Sequence, residues 1–136
     1  MTSNGLTNPD EILVLIGEDE PDNQVILQTV VESLVGVRAA VAGDGLAVLA
    51  EVERERPRMI LLDLMMPGLD GFQVTRELKG NPATAGIPIV AVSAMARPDD
   101  REAALAAGCD DFVRKPFELD DLEAVIRTYL ERTAAP

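Results

Sequence analysis

The 136-residue chain contains no histidine and only one cysteine, Cys109. Without histidine, Ser-His and Cys-His nucleophilic pairs are excluded, and one thiol leaves no ordinary zinc site. Any metal bound here has to be a hard cation held by oxygen. A lone cysteine makes no internal disulfide, which fits a reducing compartment. Cys109 itself reads as a small buried hydrophobe without a chemical role. Positive charge is also scarce: 12 Lys and Arg stand against 24 Asp and Glu, a net charge of -12. Such a chain repels phosphate backbones, which argues against direct nucleic-acid binding. No apolar run approaches the length of a membrane span, so no membrane insertion is expected. The stretch from Met1 to Glu11 has neither the basic nor the apolar region of a secretory signal, and a cytoplasmic location is the expectation.

What is present is ordinary for one soluble domain. Hydrophobic residues make up 47% and charged residues 26%, and the length is enough to bury a core. The informative stretch is Met59-Ile-Leu-Leu-Asp63-Leu-Met-Met-Pro-Gly-Leu-Asp-Gly71. Four apolar residues run into the carboxylate of Asp63, and a turn follows at Met66-Pro67-Gly68. A short unbroken apolar run of this kind is a strand buried on both faces, as in parallel sheets covered by helices. Ligand sites in such sheets lie beyond the carboxyl ends of the strands, which is where Asp63 falls.

The rest of the chain repeats the alternation. Residues 1–10 form a polar, flexible leader. Ile12 to Ile16 is a first strand, ending in Gly17-Glu18-Asp19-Glu20. Pro21 opens a helix with Asp22 in its first turn. Its apolar stripe is Ile26, Leu27, Val30, Val31 and Leu34, and Gly36 stops it. Val37 to Ala42 is the second strand. Asp44 is placed to cap a helix whose buried face is Leu46, Leu49 and Val52 and which Pro57 ends. A helix from Gly71 to Lys79 carries Phe72, Val74 and Leu78. The fourth strand, Ile87 to Val92, ends in Ser93-Ala94. Pro98 and Asp99 begin a helix with Ala103, Ala104 and Ala107 inward around Leu105, closed by Gly108. The fifth strand lies within Cys109 to Arg114 and ends at Lys115-Pro116. The last helix, Leu119 to Glu131, turns Leu119, Leu122, Val125, Ile126, Tyr129 and Leu130 inward. A tail covers 133–136. Five strands alternating with five helices predict an α/β fold, a parallel sheet with helices on both faces.

The strand ends then deliver Glu18 and Asp19, Asp63, Ser93 and Lys115 to one edge of that sheet. Each has a plain structural use when taken singly: an acidic helix start, a turn, a cap, a surface lysine. Together they make a chemical site. Three crowded carboxylates repel unless a cation joins them, and Mg2+ suits a site with few carboxylates that leaves room for phosphate oxygens. A lysine and a hydroxyl nearby can hold phosphoryl oxygens, and an aspartate beside the metal can attack phosphorus.

These residues carry a resemblance. Glu18-Asp19, the Leu61-Leu-Asp63-Leu-Met-Met-Pro-Gly-Leu-Asp-Gly71 block, Ser93-Ala94 and Ala107-Gly-Cys-Asp-Asp-Phe-Val-Arg-Lys115-Pro-Phe117 resemble the receiver domain of two-component response regulators. The match spans about residues 11 to 132. It implies a doubly wound, flavodoxin-like five-stranded parallel sheet in the order 2-1-3-4-5. It implies Asp63 as phosphoacceptor, with Mg2+ on Asp19 and Asp63, Glu18 assisting through water, and the Met65 backbone carbonyl completing the ligands. Ser93 would bond the phosphoryl group and Lys115 pair with its oxygens, with a cis Lys115-Pro116 bond. Phe112, one of three phenylalanines, would be the aromatic switch, packing inward as Ser93 moves. Gly17 departs from the family pattern, which has a larger apolar residue there, and is expected to loosen the strand end and shift the Mg2+ site slightly.

The implied partners are a histidine kinase or histidine phosphotransfer protein and a downstream protein target. The implied state is a monomer or a phosphorylation-dependent dimer, and the implied output is a changed face of the fourth helix, fifth strand and fifth helix. Met65 and Met95, two residues past Asp63 and Ser93, are expected to hinder the hydrolytic water. Three other readings compete with a stand-alone regulator. The chain can be a receiver cut from a hybrid kinase or larger regulator, or a pseudo-receiver that never takes phosphate. A phosphatase of the haloacid dehalogenase type also uses a strand-end Asp with Mg2+, but needs an acid or Thr where Met65 stands.

Overall fold

A computed structural model describes residues 11–94, 97 and 99–134. The leader, Met95, Pro98 and the last two tail residues lie outside the described residues. The chain alternates as expected: β1 (Ile12–Gly17), α1 (Pro21–Glu32), β2 (Val37–Ala42), α2 (Gly45–Arg54), β3 (Met59–Leu62), α3 (Gly71–Lys79), β4 (Ile89–Ser93), α4 (Asp100–Ala107), β5 (Asp111–Arg114) and α5 (Leu119–Ala134). The five strands form one sheet in the order β2-β1-β3-β4-β5, and every pairing is parallel.

Alternate residues of each strand feed two cores. Val14, Ile16, Met59, Leu61, Val90 and Val92 face α1 and α5, meeting Leu27, Val31, Leu122 and Ile126. Leu15, Ile60, Leu62, Ile89 and Ala91 face α2, α3 and α4, meeting Val48, Val52, Val74, Leu78 and Ala104. Covering both faces is what makes the central strands continuously apolar.

The register sets the site. Gly17 lies opposite Leu62, Leu62 opposite Ala91, and Ser93 opposite Arg114. Glu18, Asp63, Ser93 and Lys115 therefore leave the sheet within a residue or two of the same level.

Several helix faces differ from the sequence reading. In α2 the buried residues are Gly45, Val48 and Val52, while Leu46 is 68% exposed. In α4 only Ala104 and Ala107 are buried; Ala103 and Leu105 face outward. Ile26 and Leu119 are also exposed. In α2 the buried face starts one position earlier than expected. In α1, α4 and α5 the expected stripe holds but is narrower: Leu27, Val30 and Val31, Ala104 and Ala107, and Leu122 and Ile126 stay buried while these flanking apolar residues face outward. β4 starts two residues later than expected, β5 lies within the expected Cys109 to Arg114 stretch, and α5 runs on to Ala134. The helix limits otherwise follow the expected signals. The Asp44 carboxylate accepts from the Ala47 N–H at 2.8 Å, and Gly108 closes α4 at a φ of 118°. Asp70 and Gln73 form a reciprocal capping box on α3.

Candidate functional site

Glu18, Asp19 and Asp63 each offer a carboxylate oxygen within 4.8 Å of the others. Glu18 is fully buried, and Asp63 is nearly so. Backbone contacts fix both acids. The Glu18 N–H donates to the Ala42 carbonyl at 3.0 Å, and the Asp63 N–H donates to the Gly17 carbonyl at 2.8 Å. On the next loop, the Met65 N–H donates to Asp63 Oδ1 at 2.9 Å.

Lys115 ties the acids together. Its Nζ donates to Glu18 Oε1 at 2.7 Å and to Asp63 Oδ2 at 3.1 Å. Its backbone N–H donates to the Ser93 carbonyl at 2.9 Å, and the Lys115-Pro116 bond is cis. Burial pushes the Glu18 carboxyl above the ordinary range, against the Lys115 hydrogen bond, which lowers it. Burial works against the charged form of Lys115, but the bond to Glu18 and the charge of Asp63 outweigh it and raise its pKa. The sequence pattern pairs Lys115 with phosphoryl oxygens alone; the direct bond to Glu18 is a further contact that only the structure shows.

Ser93 is fully buried, and among the described residues its Oγ has no hydrogen-bond partner. An unmet buried hydroxyl costs roughly 1–3 kcal/mol, so this group is short of an acceptor. Phe112, paired across the sheet with Ala91, is half-buried against the α2–α3–α4 core. The Met65 side chain is 60% exposed beside Asp63. Met95 lies outside the described residues. Glu18, Asp19, Asp63 and Lys115 meet at this one edge, Ser93 ends the neighbouring strand β4, and Phe112 stays in the core.

Gly17 is the last paired residue of β1, opposite Ala42 and Leu62. It is buried, and a Cβ there would lie 2.7 Å from Leu62 Cδ1 and 2.9 Å from Val48 Cγ2. Leu62 and Val48 thus occupy the room a larger residue would need, and the acids that follow stay anchored.

Gln24 was not anticipated. From α1 its Nε2 donates to the Glu18 carbonyl at 2.6 Å, holding the acidic turn from above. A glutamine inside a helix carries no sequence signal for such a bond. Beside the acids lies a depression of about 330 Å3, lined by Asn23, Ile26, Ala94, Pro116, Phe117 and Leu119, with Lys115 at its edge. Among the described residues no helix is long and apolar enough to cross a membrane.

Comparison with known proteins follows the same line. A family model of the response regulator receiver domain matches residues 14–127. The chain is 39% identical over 123 residues to a probable transcriptional regulator, ycf27, of Cyanophora paradoxa, covering 90% of this chain and 50% of the relative. It is 40% identical over 119 residues to the DNA-binding response regulator MtrA of Mycolicibacterium smegmatis, covering 88% of this chain and 50% of the relative. The chain thus spans about half the length of these curated relatives. Among solved structures, the receiver domain of sensor histidine kinase PA1611 from Pseudomonas aeruginosa is 33% identical with a TM-score of 0.81. That match covers 89% of this chain and 98% of the other, which holds a magnesium ion in its active-site cleft.

Proposed function

The chain belongs to the response regulator receiver domain family, and on that premise we propose that it is a phosphoacceptor switch working through Asp63. The donor is a phosphohistidine on a histidine kinase or histidine phosphotransfer protein, and the output is a change in the α4–β5–α5 face that protein partners read. The observation carrying this reading is the convergence of Glu18, Asp19 and Asp63 within 4.8 Å beside the Lys115 ammonium, with Ser93 at the end of β4 carrying a buried hydroxyl that has no partner among the described residues. Three acids and one lysine leave net negative charge, and an unsatisfied hydroxyl waits for an acceptor. A hard divalent cation and a phosphoryl group supply what is missing.

The residues present fit Mg2+. Asp19, Asp63, the Met65 carbonyl and Glu18 through water would hold it, its charge offsetting the carboxylates and the incoming phosphoryl oxygens. An Asp63 oxygen forms the new bond to phosphorus as the phosphohistidine N–P bond breaks. The departing imidazole keeps the electron pair and takes up a proton. Lys115 Nζ, already on Asp63 Oδ2, follows the charge onto the phosphoryl oxygens. Ser93 Oγ donates to the same group, and the space it leaves is taken by Phe112. The switch is a population shift: phosphorylation favours the arrangement in which Ser93 and Phe112 have moved. The exposed Ile26 and Leu119, bordering Lys115, offer an apolar surface on which a partner helix can present its histidine.

The reading is tested by amide-proton spectra with acetyl phosphate and Mg2+, for wild type and Asp63→Asn. Shifts reaching Ser93, Phe112 and α5 in wild type only support it. Shifts confined to the three acids, or equal in the variant, count against it.

A further inference from the structure

We infer that Gly45, at the start of α2 and outside the acidic cluster, is a positioning residue for the loop that carries Asp63 and Met65. The inference rests on the Mg2+-dependent reading above. Gly45 is buried, and the space its Cβ would fill is taken by backbone. The Leu69 carbonyl oxygen would lie 1.9 Å from that atom, the Leu69 carbonyl carbon 2.8 Å and the Leu69 Cβ 2.9 Å. A real Cβ does not come that close to any atom, and a peptide group cannot rotate aside as a side-chain tip can.

Leu69 sits in the loop from Asp63 to Asp70, between β3 and α3. The loop is held at several points. Leu64 and Met66 are buried in the core. The Gly71 N–H donates to the Leu64 carbonyl at 3.1 Å. A Cβ on Gly71 would lie 2.5 Å from Leu64 Cα and 2.8 Å from the Asp63 carbonyl oxygen. The far end of the loop is therefore pressed against α2 at Gly45, and the near end against α3 at Gly71, with no side chain between. Met65 lies on the stretch clamped between these two contacts. A methyl at Gly45 pushes the Leu69 carbonyl outward, and the loop transmits the shift to the Met65 carbonyl and the Asp63 carboxylate.

Helix propensity acts in the opposite direction. Alanine is the better helix former, so an alanine in the first turn of α2 favours that helix when nothing clashes. Gly43, in the bend just before the Asp44 cap, supplies the control for an added methyl beside this helix start. A Cβ there meets only Gln24 Nε2 at 3.8 Å, an ordinary contact.

The test measures Mg2+ affinity and metal-free amide shifts by NMR for wild type, Gly45→Ala and Gly43→Ala. Gly45→Ala is expected to shift the Met65 to Gly71 amides without metal and to weaken Mg2+ binding at least tenfold. Gly43→Ala stays within twofold of wild type. Should Gly45→Ala not fold in buffer, all three proteins are titrated in trimethylamine N-oxide, which favours the folded state. Wild-type affinity with unmoved loop amides in Gly45→Ala overturns the inference and leaves the phosphoacceptor reading standing. A wild type that binds no Mg2+ overturns both.

Discussion

Replacing Lys115 with methionine gives the sharpest energetic prediction. The lysine side chain is 14% exposed and bridges Glu18, at 0%, and Asp63, at 9%. Methionine keeps much of the volume and removes the only cation in contact with the acids among the described residues. Two unit charges within the 4.8 Å of this cluster repel by roughly 3.5 kcal/mol at an effective dielectric of about 20. Breaking a buried pair by deleting one partner costs about 3–5 kcal/mol. Both routes point to a loss of about 3 kcal/mol at pH 7.5 without metal. For 136 residues the unfolding entropy is about 0.29 kcal/mol/K, so Tm should fall by about 10 °C. The loss also depends on pH. Burial already raises Glu18, and losing the Lys115 bond raises it further. A carboxyl whose folded pKa exceeds its unfolded value binds a proton on folding, so the variant regains stability as pH falls through the folded value. The assay is thermal unfolding in chelator at pH 7.5 and pH 5.5. The deficit should shrink at the lower pH, and millimolar Mg2+ should shrink it at the higher one. An unchanged Tm at pH 7.5, or a deficit that grows on acidification, refutes the electrostatic account.

Three further predictions follow from the same structure. Asp19→Asn removes one of three crowded charges, so metal-free Tm should rise by a few degrees, worth about 1 kcal/mol, while the Mg2+-induced rise in Tm disappears; thermal melts with and without metal check both. Met65→Ala takes away an exposed side chain beside Asp63 and should speed loss of the phosphoryl group several-fold, read as acyl-phosphate decay; unchanged decay removes Met65 from the hydrolysis step. Burial raises the Cys109 thiol, while its Thr75 contact at 3.6 Å lowers it. The neutral thiol is therefore favoured by folding, and stability should fall as pH rises from the unfolded thiol value of about 8.5 through the folded value. Urea unfolding at pH 7.5 and 9.5 should show a larger alkaline loss in wild type than in Cys109→Ala.

The fold was readable because its strands are extreme. Met59 to Leu62 is an unbroken apolar run, and only a sheet covered on both faces calls for one. The site was readable because strand ends deliver it, so the residue after each apolar run was a candidate without any contact being known. Helix faces were less legible. In α2, Leu46, Leu49 and Val52 form as good a stripe as Gly45, Val48 and Val52, and only packing chooses between them. The glycine is inward because a loop backbone lies on it, and hydrophobicity patterns carry no trace of such a contact. Thr75 is fully buried because its hydroxyl donates to the Gly71 carbonyl at 2.8 Å, so a polar letter hides a core position. The Lys115–Glu18 bond joins residues at opposite ends of the chain and becomes visible only once β1 and β5 share a sheet.

The most direct measurement is the intact mass of wild type and Asp63→Asn after incubation with acetyl phosphate and with phosphorylated histidine kinases, each with Mg2+ and with chelator. If Asp63 is the phosphoacceptor, wild type gains a single phosphoryl adduct, present only with Mg2+ and absent from Asp63→Asn. An adduct that persists in Asp63→Asn, or no adduct from any donor, contradicts that role.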